Sequence, residues 1–270
     1  MLTDTAARLE VVPPEVPPGG ELVGGIVFEP FADELRDGVP EPLVLVDDCL
    51  YEVGLHLISG HPGDGKTSLL MQWAWIAMAQ GRHVAWLDYE GGKNPTLRRL
   101  LAIGVPTQLL LERFHYASFP ERAEKHLVAV AERWPGSLVV MDSLSKALAY
   151  AGINEDDNSE VTKFAVPIVK ACIQNDMPIA IIDHVKKQGG GQYSRGAGAK
   201  LADVMVHWGV EKTQDFSRNM AGSITVRQHK DREGCLPFAS WWKMGDGNGR
   251  LTIEPMSGPP DPDNPDAPAL

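Results

Sequence analysis

The chain has 270 residues, a length that fits one large domain or two small ones. Hydrophobic residues make up 43% and charged residues 23%, which excludes a wholly disordered chain, a collagen and a coiled-coil rod. The formal net charge of −11 excludes a strongly basic nucleic-acid binder as a description of the whole chain.

The negative charge is concentrated at the two ends of the chain. Residues 1–50 carry 11 acidic and 2 basic side chains, a net charge of −9. Residues 251–270 carry 4 acidic and no basic side chains, a net charge of −4, which leaves +2 for residues 51–250. We therefore expect either acidic flanks around a body that holds a basic groove, or flanks that only keep the protein in solution.

The three cysteines lie far apart, at Cys49, Cys172 and Cys235, and form neither a disulfide framework nor a zinc-binding spacing. This favours a reducing cytoplasm. The N-terminus has no basic start followed by an apolar run, and the longest apolar stretch, 69–79, is interrupted by Gln72. That stretch is too short to span a bilayer, so we predict a cytoplasmic protein with no signal peptide and no membrane partner.

Composition divides the chain into three parts. Residues 1–42 are acidic and contain seven prolines, and we expect an extended segment that links or covers other parts. Residues 43–252 are predicted to form the folded domain. Residues 253–270 form an acidic, proline-rich tail that we expect to be disordered.

Six apolar runs predict the strands of a sheet. Several are apolar at consecutive positions, as strands buried on both faces are. Between them, apolar residues recur at helical spacing over 123–134 and 161–172, although Pro167 should kink or interrupt the second helix. The alternation predicts an α/β fold with a mostly parallel sheet, helices on both faces and antiparallel strands at the C-terminal end. The predicted strands are 54–59, 83–88, 137–142, 178–183, 203–208 and 223–228.

The strongest signal is the segment GHPGDGKT at 60–67, which matches the phosphate-binding pattern G-x-x-x-x-G-K-[ST]. It follows a predicted strand and opens a helix with an apolar face, which is the context that the pattern requires. Glycines permit close approach of the backbone, and the helix N-terminus directs N–H groups at phosphate oxygens. Residues predicted to bind the phosphates of ATP are Gly60, His61, Pro62, Gly63, Asp64, Gly65, Lys66, Thr67 and Ser68.

Two residues of this segment have specific predicted roles. Lys66 should pair with the β- and γ-phosphates, and the Thr67 hydroxyl should bind Mg²⁺. Asp142 closes the apolar run LVVMD and is predicted to support the same metal ion. The alternative for Asp142 is a helix-capping role at the turn after the strand.

Polar residues also end two other predicted strands, and ligands in open α/β sheets gather at the carboxyl ends of strands. Glu90 is predicted to orient and deprotonate the attacking water, with a surface charge before a glycine turn as the alternative. Asp88 is a weaker candidate for either acidic role. His184 is predicted to contact the γ-phosphate and signal its presence, or else to be an ordinary satisfied polar residue.

These elements, in this order from about 43 to 238, resemble the RecA-like ATPase core. They are most similar to the RepA-like and DnaB-like hexameric helicase ATPases of plasmids and phages. GHPGDGKT resembles the Walker A segment, VAWLDYEGG the strand that ends in the catalytic glutamate, LVVMDSL the Walker B strand, and IIDHVKK the sensor strand. The resemblance implies catalytic roles for Glu90 and His184, a hexameric ring, and a bacterial or phage-infected cell.

The segment KDREG at 230–234 resembles the K-x-R-x-G hairpin of this family. The resemblance implies that Lys230 and Arg232 enter the ATP site of a neighbouring subunit and stabilise transition-state charge there. The alternative is an exposed charged turn.

Two loops match the DNA-facing loops of the family by their location. The loop at 186–200 is basic and rich in glycine, so it could follow a phosphate backbone, and its tyrosine could stack on a base. Its predicted DNA-binding residues are Lys186, Lys187, Tyr193, Arg195 and Lys200. The alternative is a surface loop without a ligand. The loop at 144–158 is acidic near its end, at Glu155, Asp156 and Asp157, which argues against a DNA role.

The sequence thus predicts a Mg²⁺-dependent ATPase that forms a ring, most simply a hexamer, and acts as a helicase or translocase on single-stranded DNA. A RecA/RadA-like recombination or repair ATPase that forms filaments is one alternative, because the two groups share the site. A regulatory ATPase switch without DNA activity is another, and the net charge favours it.

Overall fold

A computed structural model describes residues 16–46, 48–185, 203–217, 219–248 and 250–260. The chain divides into two compact units, Met1–Glu41 and Pro42–Leu270. The described part of the first unit contains an antiparallel hairpin, β1 (Glu21–Val23) and β2 (Ile26–Phe28), and a short helix, α1 (Ala32–Asp37). Our expectation of an extended segment was therefore incomplete, because the glycine pair at 24–25 closes a hairpin.

The second unit is built on a nine-stranded sheet, which confirms the predicted fold class. Six strands on one side are parallel: β5 (Gly54–Gly60), β6 (Val84–Asp88), β7 (Phe114–Ser118), β8 (Leu138–Asp142), β9 (Pro178–His184) and β10 (Val206–Gln214). Three antiparallel strands follow: β11 (Gly222–Asp231), β12 (Ala239–Met244) and β13 (Ile253–Met256). The order across the sheet is β13-β12-β11-β10-β5-β9-β8-β6-β7.

A second, two-stranded sheet precedes β5 in the chain. It pairs β3 (Val44–Val46) with β4 (Leu50–Tyr51) in antiparallel fashion. Val46, Leu50 and Tyr51 are buried and belong to the same apolar cluster as Ile58 of β5.

Helices cover both faces of the large sheet. They are α2 (Lys66–Ala79), α3 (Lys93–Ile103), α4 (Thr107–Arg113), a 3₁₀ turn (Ala123–Lys125), α5 (Leu127–Arg133), α6 (Leu144–Tyr150) and α7 (Asn158–Gln174). Alternate strand residues pack on α2 to α4 on one face and on α5 to α7 on the other. Because both faces are covered, the central strands are apolar at nearly every position.

The structure corrects three details of the predicted elements. Helix α7 continues through Pro167 without interruption, because its apolar face is held against the sheet by packing. Ile253–Met256, which we assigned to a disordered tail, form the edge strand β13 beside β12. The strand β10 is parallel to β5, so the antiparallel part of the sheet begins only with β11. No helix among the residues that the structure describes is long and apolar enough to cross a membrane.

Candidate functional site

The phosphate-binding loop connects the central strand β5 to helix α2, as the sequence predicts. Gly65 caps the helix with φ of 89°, in the left-handed region that favours glycine. Gly60 lies so close to β10 that a Cβ there would stand 2.3 Å from the carbonyl oxygen of Val210. Asp64 ties the loop together by accepting a hydrogen bond from the His61 N–H at 2.9 Å.

Lys66 lies at the first turn of α2 and is 4% exposed. Its ammonium group donates to the carbonyl oxygens of Gly60 at 2.8 Å and His61 at 2.7 Å. Burial lowers the pKa of Lys66, although nearby carboxylates, Asp64 first among them, act in the opposite direction. The lysine is thus held inside the loop, at the place where phosphate oxygens would replace the two carbonyls.

The predicted polar residues gather at one edge of the sheet. Gly60 is aligned with His184 across β5 and β9, and Asp88 is aligned with Asp142 across β6 and β8. All four are the last residues of parallel strands. The structure therefore brings these strand ends to the edge where the phosphate-binding loop begins.

Asp142 is 5% exposed, and the nearby Thr67 hydroxyl acts to lower the pKa of its carboxyl group. Its Oδ1 atom is buried and has no hydrogen-bond partner among the residues that the structure describes. Burial, followed by repulsion from Glu90, raises the pKa of Asp142 to about 6. The next residue, Ser143, caps α6, so Asp142 does not have the helix-capping role that was its alternative.

The Thr67 hydroxyl and the Asp142 carboxylate are suitable ligands for a magnesium ion. A hydroxyl and a carboxylate with a free oxygen are the protein ligands that Mg²⁺ takes in nucleotide sites, where phosphates and water supply the rest. Within the described ranges, no group of three or more His, Cys, Asp or Glu side chains could hold a metal ion by itself. A metal at Thr67 and Asp142 would therefore depend on the nucleotide for its remaining ligands.

Glu90 follows β6 and faces the same space. Its Oε1 accepts from the Ser143 hydroxyl at 2.6 Å and lies 3.1 Å from His184 Nε2. The contact with His184, and then that with Ser143, lowers the pKa of Glu90 to about 2 in spite of its partial burial. The carboxylate is thus ionised at neutral pH and bridges the ends of β8 and β9.

Asp88 has a different environment, although it is aligned with Asp142. Its two oxygens accept four hydrogen bonds: from the N–H groups of Glu90 (2.7 Å) and Gly91 (2.8 Å), and from the hydroxyls of Thr96 (3.0 Å) and Tyr116 (2.9 Å). Burial acts to raise the pKa of Asp88, but these hydrogen bonds outweigh it and the pKa is lowered. Asp88 therefore holds the turn that carries Glu90.

An open cleft of about 310 Å³ lies at this edge of the sheet, and Asp88 and Asp142 are not among the residues that line it. Of the nine residues predicted to bind phosphate, Pro62, Gly63, Gly65, Lys66, Thr67 and Ser68 line the cleft. Gly60, His61 and Asp64 instead shape the loop behind it. Glu90 and His184 also line the cleft.

Two lining residues were not predicted. Arg99 extends from α3 into the cleft, and Phe216 follows β10 and packs on the phosphate-binding loop, 3.0 Å from where a Cβ of Gly65 would be. Ser143, the partner of Glu90, was also missed. Only Ser143 had a signal in the sequence, since it directly follows the run LVVMD, whereas Arg99 and Phe216 reach the cleft through the packing of α3 and β10.

Lys230 and Arg232 do not join this cleft. Lys230 is opposite His207, and Asp231 is opposite Val206, which is aligned with His56 of β5. His56 lies four residues before Gly60, so the Arg232 turn is about 13 Å back along the strands from the phosphate-binding loop. The predicted DNA-binding residues Lys186, Lys187, Tyr193, Arg195 and Lys200 lie outside the described residues.

Comparison with known proteins agrees with this geometry. Residues 27–190 match the family AAA_25, described as an AAA domain. The DNA repair protein RadA of Escherichia coli (strain K12) is 25% identical over 182 residues, 67% of this chain and 36% of that protein. RadA of Aquifex aeolicus (strain VF5) is 25% identical over 134 residues, 49% of this chain and 29% of that protein. The chain thus spans about a third of the length of these curated relatives.

Among solved structures, the ATPase domain of G40P has the same fold. It superposes with a TM-score of 0.61 at 11% identity, and the match covers 82% of this chain and 94% of that one. The fold, the phosphate-binding loop and the sequence match agree, and together they confirm the predicted resemblance. The chain belongs to the AAA_25 family of AAA domains, and its fold is that of a RecA-like P-loop ATPase.

Proposed function

We propose that this protein hydrolyses ATP with Mg²⁺ in the cleft between the phosphate-binding loop and Glu90. The single observation that carries the proposal is a buried carboxylate oxygen without a hydrogen-bond partner in the described part of the chain, at the edge of the sheet where the phosphate-binding loop begins. Among the described residues, the buried Oδ1 of Asp142 has no hydrogen-bond partner, while Lys66 lies nearby at the start of α2 and donates to the phosphate-binding loop. An unsatisfied buried carboxylate is costly, and its presence is explained if it serves a cation that arrives with the nucleotide.

Each residue of the cleft has a distinct proposed task. Lys66 exchanges its carbonyl partners for the β- and γ-phosphates and neutralises charge that develops on them. Thr67 and Asp142 would hold Mg²⁺, which would supply further charge neutralisation when bound. Glu90 orients the attacking water, and its low pKa makes it a positioning group more than a strong base.

We infer that His184 senses the γ-phosphate. It lines the cleft and at the same time contacts Glu90 at 3.1 Å. A histidine that can exchange a carboxylate partner for a phosphate partner would link the nucleotide state to the loop that follows β9. This loop contains the predicted DNA-binding residues.

We further propose that the protein works as a ring of identical subunits, most simply a hexamer, in which Arg232 and Lys230 of one subunit complete the site of the next. The distance of the Arg232 turn from its own phosphate-binding loop supports action on a second copy. On single-stranded DNA, hydrolysis would move the loop at 186–200 and drive translocation. The likeness to the ATPase domain of G40P and to RadA supports this assignment.

The test is ATP hydrolysis with and without single-stranded DNA, with Lys66→Ala as the blank. Strong stimulation by DNA supports a DNA motor or a repair ATPase. Hydrolysis that DNA does not change would instead favour the regulatory switch. Loss of DNA stimulation in a variant with Lys186, Lys187 and Arg195 changed to alanine, with basal hydrolysis retained, would assign the contact to the 186–200 loop.

A second candidate is a DNA-repair ATPase that assembles on DNA as a filament. The match to the DNA repair protein RadA over 67% of this chain favours it. Electron micrographs with ATP and single-stranded DNA separate the two, because a closed ring and an open helical filament differ in shape.

A further inference from the structure

The turn that carries Arg232 is held by a single carboxylate. Asp231, the last residue of β11, accepts hydrogen bonds from the N–H of Glu233 at 3.1 Å and the N–H of Leu236 at 3.0 Å. It also accepts from the side chain of Gln228 at 3.4 Å. The chain from 231 to 236 is therefore folded around the side chain of its own first residue.

Tyr51 fixes this carboxylate to the body of the domain. The Tyr51 hydroxyl lies 3.0 Å from each oxygen of Asp231, to which it donates, and it accepts from the N–H of Cys235 at 3.2 Å. Tyr51 belongs to β4, 180 residues earlier in the chain, and is 1% exposed. Burial is the main cause that raises the pKa of its hydroxyl, so Tyr51 stays protonated and remains a donor.

Further hydrogen bonds hold both ends of the turn. The N–H of Arg232 donates to the carbonyl oxygen of Met205 at 3.0 Å. Gln228 donates to the carbonyl oxygens of Leu236 at 3.0 Å and Pro237 at 3.3 Å. The side chains that the turn presents are exposed, with Arg232 near its start and Phe238, 86% exposed, just after its end. A fixed backbone thus presents a guanidinium and an aromatic ring to the outside.

The Arg232 turn is anchored by the same kind of hydrogen bonds as the turn that carries Glu90. Asp88 accepts from two N–H groups of the Glu90 turn and from the hydroxyl of Tyr116. Asp231 accepts from two N–H groups of the Arg232 turn and from the hydroxyl of Tyr51. In each case a strand ends in an aspartate that folds the next residues around itself, and a tyrosine from elsewhere fixes that aspartate. The first turn carries Glu90, a residue of the site. Because the second turn is anchored in the same way, we expect the position of Arg232 to matter for function as well.

We propose that Asp231 and Tyr51 are positioning residues that hold the turn in the geometry in which Arg232 enters the nucleotide cleft of a second copy of this chain. This inference rests on the proposed action of Arg232 between subunits. It adds two residues that do not touch the nucleotide themselves and act only through Arg232. A guanidinium displaced by about 1 Å can lose about 100-fold in rate, so the anchoring of the turn matters for hydrolysis in the neighbour.

The test mixes subunits, because a positioning role in the neighbour's site can be rescued by a partner and a folding defect cannot. Asp231→Asn and Tyr51→Phe are each expected to lower hydrolysis about 10-fold or more when alone, with nucleotide binding unchanged. Each is then co-expressed in equal amounts with Lys66→Ala, which has no working phosphate site but an intact Arg232 turn. About one quarter of the interfaces in mixed rings then combine an intact cleft with an intact turn, so hydrolysis should recover toward that fraction.

Matched controls come from the other turn. Asp88→Asn and Tyr116→Phe remove the same bonds from the Glu90 turn, so they damage the cleft of their own subunit. These variants should be rescued by Arg232→Ala and not by Lys66→Ala. Asp231→Asn and Tyr51→Phe should show the opposite pattern, with rescue by Lys66→Ala and none by Arg232→Ala.

The outcomes separate the inference from the function on which it rests. Rescue between Arg232→Ala and Lys66→Ala, without rescue of Asp231→Asn or Tyr51→Phe by Lys66→Ala, overturns the positioning role alone. Absence of rescue between Arg232→Ala and Lys66→Ala overturns action between subunits, and the inference falls with it. Full activity of both turn variants also overturns the inference. If Asp231→Asn does not fold, Tyr51→Phe decides, because phenylalanine keeps the buried ring.

Discussion

Asp142 is expected to make the nucleotide-free protein less stable, and the size of the effect follows from its pKa. Burial raises the pKa of Asp142 from 3.8 to about 6. The folded protein therefore holds this proton more tightly than the unfolded chain does. Between about pH 4 and pH 6 the free energy of unfolding should fall as pH rises, because the carboxylate must ionise in a buried place. At about 1.4 kcal/mol for each pH unit, the cost above pH 6 is about 3 kcal/mol.

The perturbation is Asp142→Asn, which has nearly the same shape and no charge at any pH. At about pH 8 the variant should be more stable than the natural protein by up to about 3 kcal/mol, and at about pH 4 the two should be equal. Urea unfolding at both pH values, without Mg²⁺ and nucleotide, measures the difference. The same variant should lose hydrolysis and the stabilisation that Mg²⁺ and ATP give to the natural protein.

Asp88→Asn is the matched control, since Asp88 is aligned with Asp142 on the next strand. Its lowered pKa means that the Asp88 carboxylate stabilises the folded state at neutral pH and that this contribution is lost as pH falls. The control should therefore be less stable than the natural protein at about pH 8. A stability difference for Asp142→Asn that is the same at both pH values would refute the reasoning, because it would not come from ionisation.

Three further predictions concern single residues in the cleft or in the loop behind it. Glu90→Gln should lower the rate of hydrolysis by about 100-fold or more while ATP still binds, measured by turnover and by titration calorimetry. Phe216→Ala should raise the KM for ATP about five-fold with little change in kcat. Phe216 offers bound ATP an apolar surface beside Gly65, and losing that surface should cost about 1 kcal/mol of binding free energy. An unchanged KM would exclude a contact between Phe216 and the nucleotide. Gly60→Ala should lower the free energy of unfolding by about 1–3 kcal/mol, since its methyl group would stand 2.3 Å from the carbonyl oxygen of Val210. Thermal unfolding of Gly63→Ala, where the Cβ would meet nothing within 4 Å, separates this clash from the conformational cost of adding a side chain at a loop glycine.

The central strands could be predicted from the sequence because burial on both faces makes them apolar throughout. The runs at 54–59, 83–88, 137–142 and 178–183 all became parallel strands of the sheet. The strand β7 was missed because Phe114, His115 and Tyr116 are half-buried at the sheet edge and mix polar with apolar residues. The strand β13 was missed because Pro255 and the acidic composition suggested disorder, yet an edge strand tolerates a proline.

The positions of the site residues were predictable where a strand end fixes them, and not where tertiary packing does. Lys66, Asp142 and His184 come directly from strand and loop patterns, and the sheet register brings them to one edge. Arg99 and Phe216 reach the same cleft from a helix and a strand end, and no local pattern of the sequence distinguishes them. Their contribution depends on how α3 and β10 pack, which is a property of the whole fold.

Three aspartates at strand ends, Asp88, Asp142 and Asp231, differ in the number of donors that reach their carboxylates. Asp88 has four donors, and Asp231 has donors from two backbone N–H groups and two side chains. Asp142 keeps one buried oxygen that no donor of the described residues reaches. A buried carboxylate with enough donors stabilises the fold and shapes the backbone, whereas one that lacks them lowers the free energy of unfolding when it is ionised and no cation is bound. In the sequence all three are aspartates near the end of a strand, so only the count of donors in the fold separates the two that hold turns from the one suited to a metal.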